Sequence, residues 1–281
     1  MLLRRESDIR VALSIAGSDS GGGAGIQADI KAIQANGVYA ATVITAVTAQ
    51  NTQAVTMAKE LSLKMIRAQF EAVVSDIPIS AVKTGMLSSS PVIETVASLL
   101  AKHAADIPIV VDPVMISKSG FSLLADDAID VLKTQLLPLA TVLTPNVHEA
   151  SRLSGLEIRD VESAREAARA IYAMGPGAVL VKGGHLEGVA DAIDFLFDGD
   201  SMHAFSVPRV DTVHTHGTGC TFASTIAANL AKGYSLVKSV ERTKRYVTAA
   251  IQHGLPIGSG HGPTNHFYYL RSYGRFPIED V

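Results

Sequence analysis

A glycine-rich turn at the start of a predicted helix is the part of this sequence best suited to bind an anion. Gly217, Thr218 and Gly219 precede an alanine-rich segment, Thr221 to Ala231, that has helical character. Unpaired N–H groups and the helix dipole favour an anion such as a phosphate at such an N-terminus. Cys220 would lie in the first turn, where the dipole lowers a thiol pKa and a neighbouring phosphate raises it. A buried structural cysteine is the alternative, because cysteine packs as a small hydrophobic residue.

Two charged residues directly follow short apolar segments that are predicted to be buried strands. Lys182 follows residues 179–181, and Asp112 follows residues 109–111. A lysine at the end of a strand can meet a phosphate as a point charge, and an aspartate there can order water bound to Mg²⁺. A surface lysine and a helix-capping aspartate are the alternative interpretations.

Asn146 and Glu149 lie three residues apart after a third predicted strand, Thr141 to Leu143. This spacing predicts a variant of the capping box, with Asn146 as the N-cap and Glu149 at the third position of the next helix. A carboxylate at this strand end could also bind a hydrated Mg²⁺. Capping is the simpler interpretation, and the two roles are compatible.

A second glycine-rich segment, Gly17 to Gly25, connects a predicted strand to a predicted helix, Ile26 to Asn36. Its backbone N–H groups can come close to a ligand because glycine has no side chain. The spacing is neither that of a P-loop nor that of a GxGxxG dinucleotide site. A flexible turn explains these glycines equally well.

The elements that must position these residues alternate between short β-rich segments and longer helical ones. This alternation predicts βαβ units, and hence an α/β protein with a central, mainly parallel sheet and helices on both faces. Two alternating segments around Asp198-Gly199-Asp200 predict an antiparallel hairpin. We see no linker or repeat, so we expect one domain over residues 1–281, with a core from about 11 to 267. Sites in such sheets lie beyond the carboxyl ends of the strands, where the residues above are found.

Composition argues against several classes of function and location. The chain has 24 basic and 27 acidic residues, a net charge of −3, without the basic stripe typical of nucleic-acid surfaces. The single cysteine cannot form an intrachain disulfide, which fits a reducing cytoplasm. Residues 1–6 lack the apolar core of a signal peptide, and polar residues interrupt the uncharged segment 32–58. We therefore expect a cytoplasmic protein that binds neither nucleic acid nor membranes.

Taken in order, these segments resemble the hydroxymethylpyrimidine and phosphomethylpyrimidine kinases of thiamin biosynthesis, within the ribokinase-like superfamily. The resemblance covers about residues 11–267. The matching segments are residues 15–19, 22–29, 43–46, 50–52, 83–87, 112–115, 118–120, 144–146, 182–185 and 216–220. The resemblance implies a three-layer α/β/α ribokinase-like fold. It also implies a homodimer, and transfer of phosphoryl groups from ATP, with Mg²⁺, to hydroxymethylpyrimidine and its monophosphate.

The resemblance further implies which residues form the site. Those assigned to the small-molecule substrate are Gly17, Asp29, Val47, Gln50, Met86 and, on a flap, Lys118. Those assigned to catalysis are the anion hole of Gly217, Thr218 and Gly219 together with Cys220, which stands where sugar kinases have a catalytic aspartate. Asn146 and Lys182 are assigned to the nucleotide, and Asp112 and Glu149 to Mg²⁺.

A pyridoxal or pyridoxine kinase on the same scaffold is the nearest alternative, and Gln50 and Met86 favour the aminopyrimidine over it. A ligand-binding regulator that has lost catalysis is a different class of protein. It would be expected to lack the lysine, the acidic residues or the Gly-Thr-Gly-Cys turn, all of which are present.

Overall fold

The computed structural model describes residues 9–117, 120–184, 186 and 189–268 of the 281-residue chain. Nine strands in these residues form one sheet. The strands are β1 (Val11–Asp19), β2 (Tyr39–Gln50), β3 (Val55–Glu60), β4 (Ala81–Thr84), β5 (Ile109–Val111), β6 (Val142–Leu143), β7 (Val179–Gly183), β8 (Asp191–Phe197) and β9 (Met202–Pro208). Their order across the sheet is β3-β2-β1-β4-β5-β6-β7-β8-β9.

Helices lie between most of the strands. They are α1 (Gly25–Ala35), α2 (Leu63–Val74), α3 (Ser90–His103), α4 (Ala128–Val131), α5 (Val147–Ser154), α6 (Val161–Tyr172), α7 (Thr218–Ala231) and α8 (Leu236–Gln252). A π-helical turn (Leu132–Leu136) and a 3₁₀ turn (Leu137–Leu139) extend α4. Within the described residues, no helix combines the length and the apolar character needed to cross a bilayer.

The six strands from β2 through β7 in the sheet order are parallel, while β3, β8 and β9 pair antiparallel with their neighbours. Helices α2 to α6 pack on one face, where Phe70 and Ile171 are buried. Helices α1, α7 and α8 pack on the other face, where Ile33 and Phe222 are buried. The predicted three-layer α/β/α fold with a mainly parallel sheet and one antiparallel hairpin is confirmed.

The side chains of strand β1 pack into the cores on both faces of the sheet. Leu13 and Ile15 point into one core, and Ala12 points into the other, because successive side chains of a strand alternate. All three are almost completely buried. A strand covered on both faces therefore carries apolar residues at nearly every position.

Two boundaries and one additional strand differ from the sequence prediction. Strand β1 continues to Asp19, so the first three residues of the predicted glycine loop are part of the sheet. Strand β3 was not predicted, because only Val55 among its six residues is buried. Helix α7 begins at Thr218, three residues earlier than predicted, so Gly219 and Cys220 lie inside its first turn.

Candidate active site

A cavity of about 1070 Å³ opens at the carboxyl ends of the parallel strands. Ligand pockets commonly measure about 300–1000 Å³, so this volume suits two small ligands side by side. Eleven of the residues predicted for the site line it. They are Gly17, Gln50, Met86, Asp112, Asn146, Glu149, Lys182, Gly217, Thr218, Gly219 and Cys220.

The glycine-rich turn at the start of α7 faces this cavity. Gly217 is the N-cap with a φ of 77°, a left-handed conformation that favours glycine. A Cβ at Gly217 would lie only 1.7 Å from the carbonyl oxygen of Gly23, so no side chain fits there. A Cβ at Gly219 would lie 3.4 Å from Lys182 Nζ and 3.6 Å from Asp112 Oδ2. The helix N-terminus, a lysine and a carboxylate therefore converge on one point.

The lysine and the carboxylate form an ion pair, with Lys182 Nζ 3.0 Å from Asp112 Oδ1. Asp112 is almost completely buried, and its Oδ1 also accepts a hydrogen bond from Thr144 Oγ1 at 3.3 Å. Burial lowers the pKa of Lys182, but the negative charges of Asp112 and Glu149 outweigh it and raise that pKa. The lysine is therefore a cation in the site at neutral pH.

Glu149 lies beside this pair and closes the predicted capping box. Asn146 Oδ1 accepts from the Glu149 N–H at 2.9 Å, and Glu149 Oε2 accepts from the Asn146 N–H at 2.8 Å. Burial and the nearby charge of Asp112 raise the pKa of Glu149 to about 7, against the opposing effect of Lys182 and of backbone N–H groups. The capping role is confirmed, and the carboxyl is poised to ionise when a cation approaches.

Asp112 and Glu149 are the carboxylates that could hold Mg²⁺. No group of three or more His, Cys, Asp or Glu side chains able to form a metal cage occurs among the described residues. Mg²⁺ usually keeps several waters and binds through one or two carboxylates plus substrate phosphates. Asp112 and Glu149 are both buried, and they lie next to the Gly217–Gly219 turn, which we call the anion turn. Their arrangement fits that pattern.

A second part of the cavity is lined by Gly17, Gln50 and Met86. A Cβ at Gly17 would lie 2.8 Å from Met86 Sδ, so the glycine leaves room for the thioether. The Gln50 amide lies 3.2 Å from Thr48 Oγ1 and 3.4 Å from His216 Nε2. One apolar surface and one oriented amide can hold a small heteroaromatic ring and read its polar edge.

The Cys220 thiol is neutral in this environment. Burial raises its pKa to about 12, although the ammonium of Lys83 and the Gly25 N–H favour the thiolate. Negative charges on Asp29 and Asp112 add to the effect of burial. The sequence left the direction of this shift open, and burial decides it.

Two residues predicted to contact the substrate, Asp29 and Val47, do not line the cavity. Asp29 is fully buried, where its carboxylate binds Lys83 Nζ at 2.8 and 2.9 Å and accepts from Ser14 Oγ at 2.5 Å. Its carboxylate is thus directed into the core between α1 and the sheet. Val47 is 47% exposed on β2 and is not among the residues that line the cavity. Lys118 lies outside the described residues.

Asp19 and His216 also line the cavity, although the sequence predicts no role for either. His216 Nε2 lies 2.9 Å from Asp19 Oδ2. An aspartate just before a run of glycines often accepts hydrogen bonds from the N–H groups that follow it, which was a usable signal for Asp19. No local pattern pointed to His216, because its partner is 197 residues away.

Comparison with known proteins places these features among kinases. The family model described as phosphomethylpyrimidine kinase matches residues 19–265. A Streptomyces coelicolor hydroxymethylpyrimidine/phosphomethylpyrimidine kinase is 53% identical over 258 residues, 92% of this chain and 94% of that protein. The thiamine biosynthesis bifunctional protein ThiED of Geobacter sulfurreducens is 50% identical over 90% of this chain, which matches 51% of its length. An ADP complex of Bacillus subtilis pyridoxal kinase superposes with a TM-score of 0.86 at 38% identity, covering 94% of this chain and 99% of that one.

Proposed function

The chain belongs to the phosphomethylpyrimidine kinase family, and on this basis we propose that it transfers the γ-phosphoryl group of ATP to hydroxymethylpyrimidine. The monophosphate formed is the second acceptor, which gives the diphosphate used in thiamin biosynthesis. One observation carries the proposal. A single cavity joins a ring-sized pocket around Gln50 and Met86 to an anion turn flanked by Lys182 and Asp112.

The nucleotide phosphates are proposed to lie between Lys182 and the N-terminus of α7, with Asn146 at the rim. Phosphoryl transfer has a loose transition state, so catalysis depends on positioning and on stabilising charge around the transferred group. The N–H groups of Gly219 and Cys220 and the Lys182 ammonium supply fixed positive charge there. Mg²⁺ would be held by Asp112 and Glu149 together with phosphate oxygens, and it neutralises charge on the phosphates when bound.

Cys220 is the proposed acceptor for the proton of the attacking hydroxyl. Only the thiolate can take a proton. Lys83 and the Gly25 N–H favour it, but burial outweighs them and keeps the resting thiol neutral, so the reaction would use the small fraction present as thiolate. Met86 and Gln50 hold the ring so that its hydroxymethyl group faces the turn. The acceptor oxygen then attacks phosphorus while the bond to the ADP oxygen breaks.

Pyridoxal is the second candidate substrate, favoured by the similarity to the pyridoxal kinase fold. ADP release measured side by side with hydroxymethylpyrimidine, its monophosphate and pyridoxal separates the two. We expect kcat/KM for hydroxymethylpyrimidine to exceed that for pyridoxal by about 100-fold or more. A site that bonds the amino group of the aminopyrimidine rejects a ring that lacks this group. A higher kcat/KM for pyridoxal would overturn the assignment, and ADP release with none of the three would overturn the kinase proposal.

A homodimer formed through the β2–β3 edge is part of the same proposal. Strand β3 is the edge of the sheet, and Val47 and Met57 on this edge are 47% and 67% exposed. They share one face because Val47 pairs with Lys59 and Ala49 pairs with Met57. An exposed edge with apolar side chains is a typical protein interface.

The mass in solution, measured by light scattering, tests this dimer. Met57→Glu is expected to shift the protein toward the monomer mass, whereas Val237→Glu at an exposed position on α8 leaves it unchanged. A wild-type monomer would contradict the proposal.

A cytoplasmic location is also proposed, in keeping with the single cysteine.

A further inference from the structure

Asp19 and His216 join the two glycine-rich segments that border the cavity. Asp19 is the last residue of β1, and His216 immediately precedes the Gly217 turn. His216 Nε2 and Asp19 Oδ2 are 2.9 Å apart, and the two residues are 8% and 2% exposed. The contact therefore connects the ring side of the site to the phosphate side.

Asp19 is committed to accepting hydrogen bonds. Its Oδ1 accepts from the Gly21 N–H at 2.8 Å, and its Oδ2 accepts from the N–H groups of Gly23 and Ala24 at 3.0 and 2.8 Å. Burial raises the pKa of Asp19, but the bonds from His216 and these N–H groups outweigh it and lower that pKa. Asp19 is thus a carboxylate, and the Nε2 atom of His216 carries the hydrogen that lies between them.

The two segments also interlock sterically around His216. A Cβ at Gly23 would lie 2.3 Å from His216 Cδ2, and a Cβ at Gly217 would lie 1.7 Å from the Gly23 oxygen. The backbone of His216 is held as well, because its N–H donates to Gly262 at 3.0 Å and its carbonyl accepts from Thr264 at 3.3 Å. The imidazole is therefore packed closely between Gly23 and Asp19.

The same imidazole touches the residue proposed to read the substrate ring. His216 Nε2 lies 3.4 Å from Gln50 Nε2, a packing contact and not a hydrogen bond because both nitrogens carry hydrogen, and Gln50 lines the ring pocket. Gly217, the next residue, sets the direction of the α7 N-terminus. The His216 side chain thus contacts the ring pocket, and the His216 backbone continues into the anion turn.

We propose that His216, held by Asp19, is a positioning residue that sets the distance between the ring pocket and the anion turn. It acts through Gln50 and through the Gly217–Gly219 backbone, and it takes no part in proton transfer. The proposal rests on the proposed kinase function, since the distance matters only if a group is transferred across it. Displacing a reacting group by about 1 Å can cost about 100-fold in rate.

His216→Asn and His216→Gln form a matched pair that tests this role. Both are neutral amides, but the Gln amide nitrogen reaches about as far as Nε2, whereas that of Asn reaches only about as far as Nδ1. We expect His216→Asn to lower kcat with hydroxymethylpyrimidine about 100-fold while the KM for ATP changes by less than about threefold. His216→Gln should keep at least about tenfold more kcat than His216→Asn. Equal losses in the two variants, or a His216→Asn enzyme within about threefold of wild type, would overturn the proposal.

Alkylation of Cys220 by iodoacetamide gives a second readout that needs no substrate. Cys220 is the only cysteine in the chain and lies in the first turn of α7. Cys220 is partly buried, and a loosened turn exposes more of its thiol. His216→Asn should therefore be alkylated at least about fivefold faster than wild type at pH 9, with His216→Gln in between. A wild-type enzyme inactive on hydroxymethylpyrimidine would contradict the proposed function, but the alkylation rates of wild type and the two variants could still be compared.

Gly23→Ala keeps the proposal testable if His216→Asn does not fold. Gly23 does not have a positive φ, so the backbone accepts alanine, but the new Cβ pushes against the His216 ring. Asp19 and His216 both remain in this variant. We expect the same loss of kcat and the same faster alkylation of Cys220. An alkylation rate equal to that of wild type in Gly23→Ala contradicts the positioning role.

Discussion

Lys182 Nζ lies 3.0 Å from Asp112 Oδ1, so the cation proposed to meet the phosphates is paired with a carboxylate proposed to hold Mg²⁺. The two side chains are 13% and 2% exposed, which makes each the main counter-charge of the other. Binding of a nucleotide with Mg²⁺ would replace this pair by two new ones, lysine with phosphate and aspartate with the metal. The charges of Lys182 and Asp112 therefore balance each other before substrates bind.

Lys182→Met should remove activity and also reduce stability. Asp112 would be left buried without its counter-charge, which costs up to about 3 kcal/mol in the free energy of unfolding. Thermal melting and steady-state kinetics measure the two effects. The double variant Lys182→Met, Asp112→Asn should recover most of the lost Tm and none of the activity. Recovery of activity in the double variant would show that Lys182 serves only to neutralise Asp112.

Glu149→Gln should change how activation by Mg²⁺ depends on pH. Burial raises the pKa of Glu149 to about 7, so a bound cation must displace a proton below that pH. The Mg²⁺ concentration for half activation should fall from pH 6 to 8 in wild type more than in Glu149→Gln. The variant keeps the capping oxygen but is a poorer ligand. Identical Mg²⁺ curves for the two proteins at both pH values would leave Glu149 with the capping role alone.

The same pKa predicts a pH-dependent difference in Tm without substrates. The folded protein keeps the Glu149 proton up to about pH 7, whereas an ordinary glutamate loses it near 4.5. The stability that this proton provides is present at low pH and is lost as the pH rises through about 7. The Tm of Glu149→Gln minus that of wild type should therefore be larger at pH 8 than at pH 5. A difference that shrinks with rising pH would contradict the raised pKa.

Cys220→Ala should lower kcat by about 10²- to 10⁴-fold with little change in either KM, if the thiolate accepts the substrate proton. Because the thiol pKa is raised to about 12, wild-type kcat should rise between pH 7 and 9 as the thiolate fraction increases. Cys220→Asp should retain more activity than Cys220→Ala and should depend less on pH between about 7 and 9, since a carboxyl group ionises at a much lower pH than a thiol. A fully active Cys220→Ala enzyme would contradict this role. The turn would then contribute to catalysis only through its backbone.

Gln50→Ala should weaken the binding of hydroxymethylpyrimidine and leave the KM for ATP almost unchanged. Loss of a buried amide partner typically costs about 1–3 kcal/mol. Gln53→Ala is the matched control, because Gln53 is exposed and bonds Ser259 at 2.7 Å outside the cavity. Equal losses for both substrates in Gln50→Ala would remove this residue from the ring pocket.

Asp29→Asn should lower the Tm without raising the KM for hydroxymethylpyrimidine. Its carboxylate is the counter-charge of the fully buried Lys83, and breaking such a pair costs about 3–5 kcal/mol. The double variant Asp29→Asn, Lys83→Met should be more stable than the single one. A raised KM for hydroxymethylpyrimidine at an unchanged Tm would indicate that Asp29 contacts the substrate.

Local patterns in the sequence were sufficient for much of the architecture. The buried residues of α2, Ile66 and Phe70, recur at helical spacing in the sequence, and the Asn146–Glu149 capping box forms as its spacing predicts. The β8–β9 hairpin follows from two alternating segments around a short turn. These features depend on residues within a few positions of one another, where backbone preference and side-chain reach act directly. The order of motifs along the chain was enough to indicate the family.

Contacts between distant segments were decided only by the tertiary structure. Asp29 meets Lys83 across 54 residues, and Asp19 meets His216 across 197 residues, so no spacing in the sequence reveals either pair. Both pairs depend on which strands lie side by side and on which face of α1 turns inward. The Cys220 pKa is likewise set by how deeply the thiol is buried, a property of the packed chain. The sequence thus specified which chemical groups stand at the strand ends, and packing determined which of them face the cavity, because burial and charge pairing are properties of the whole fold.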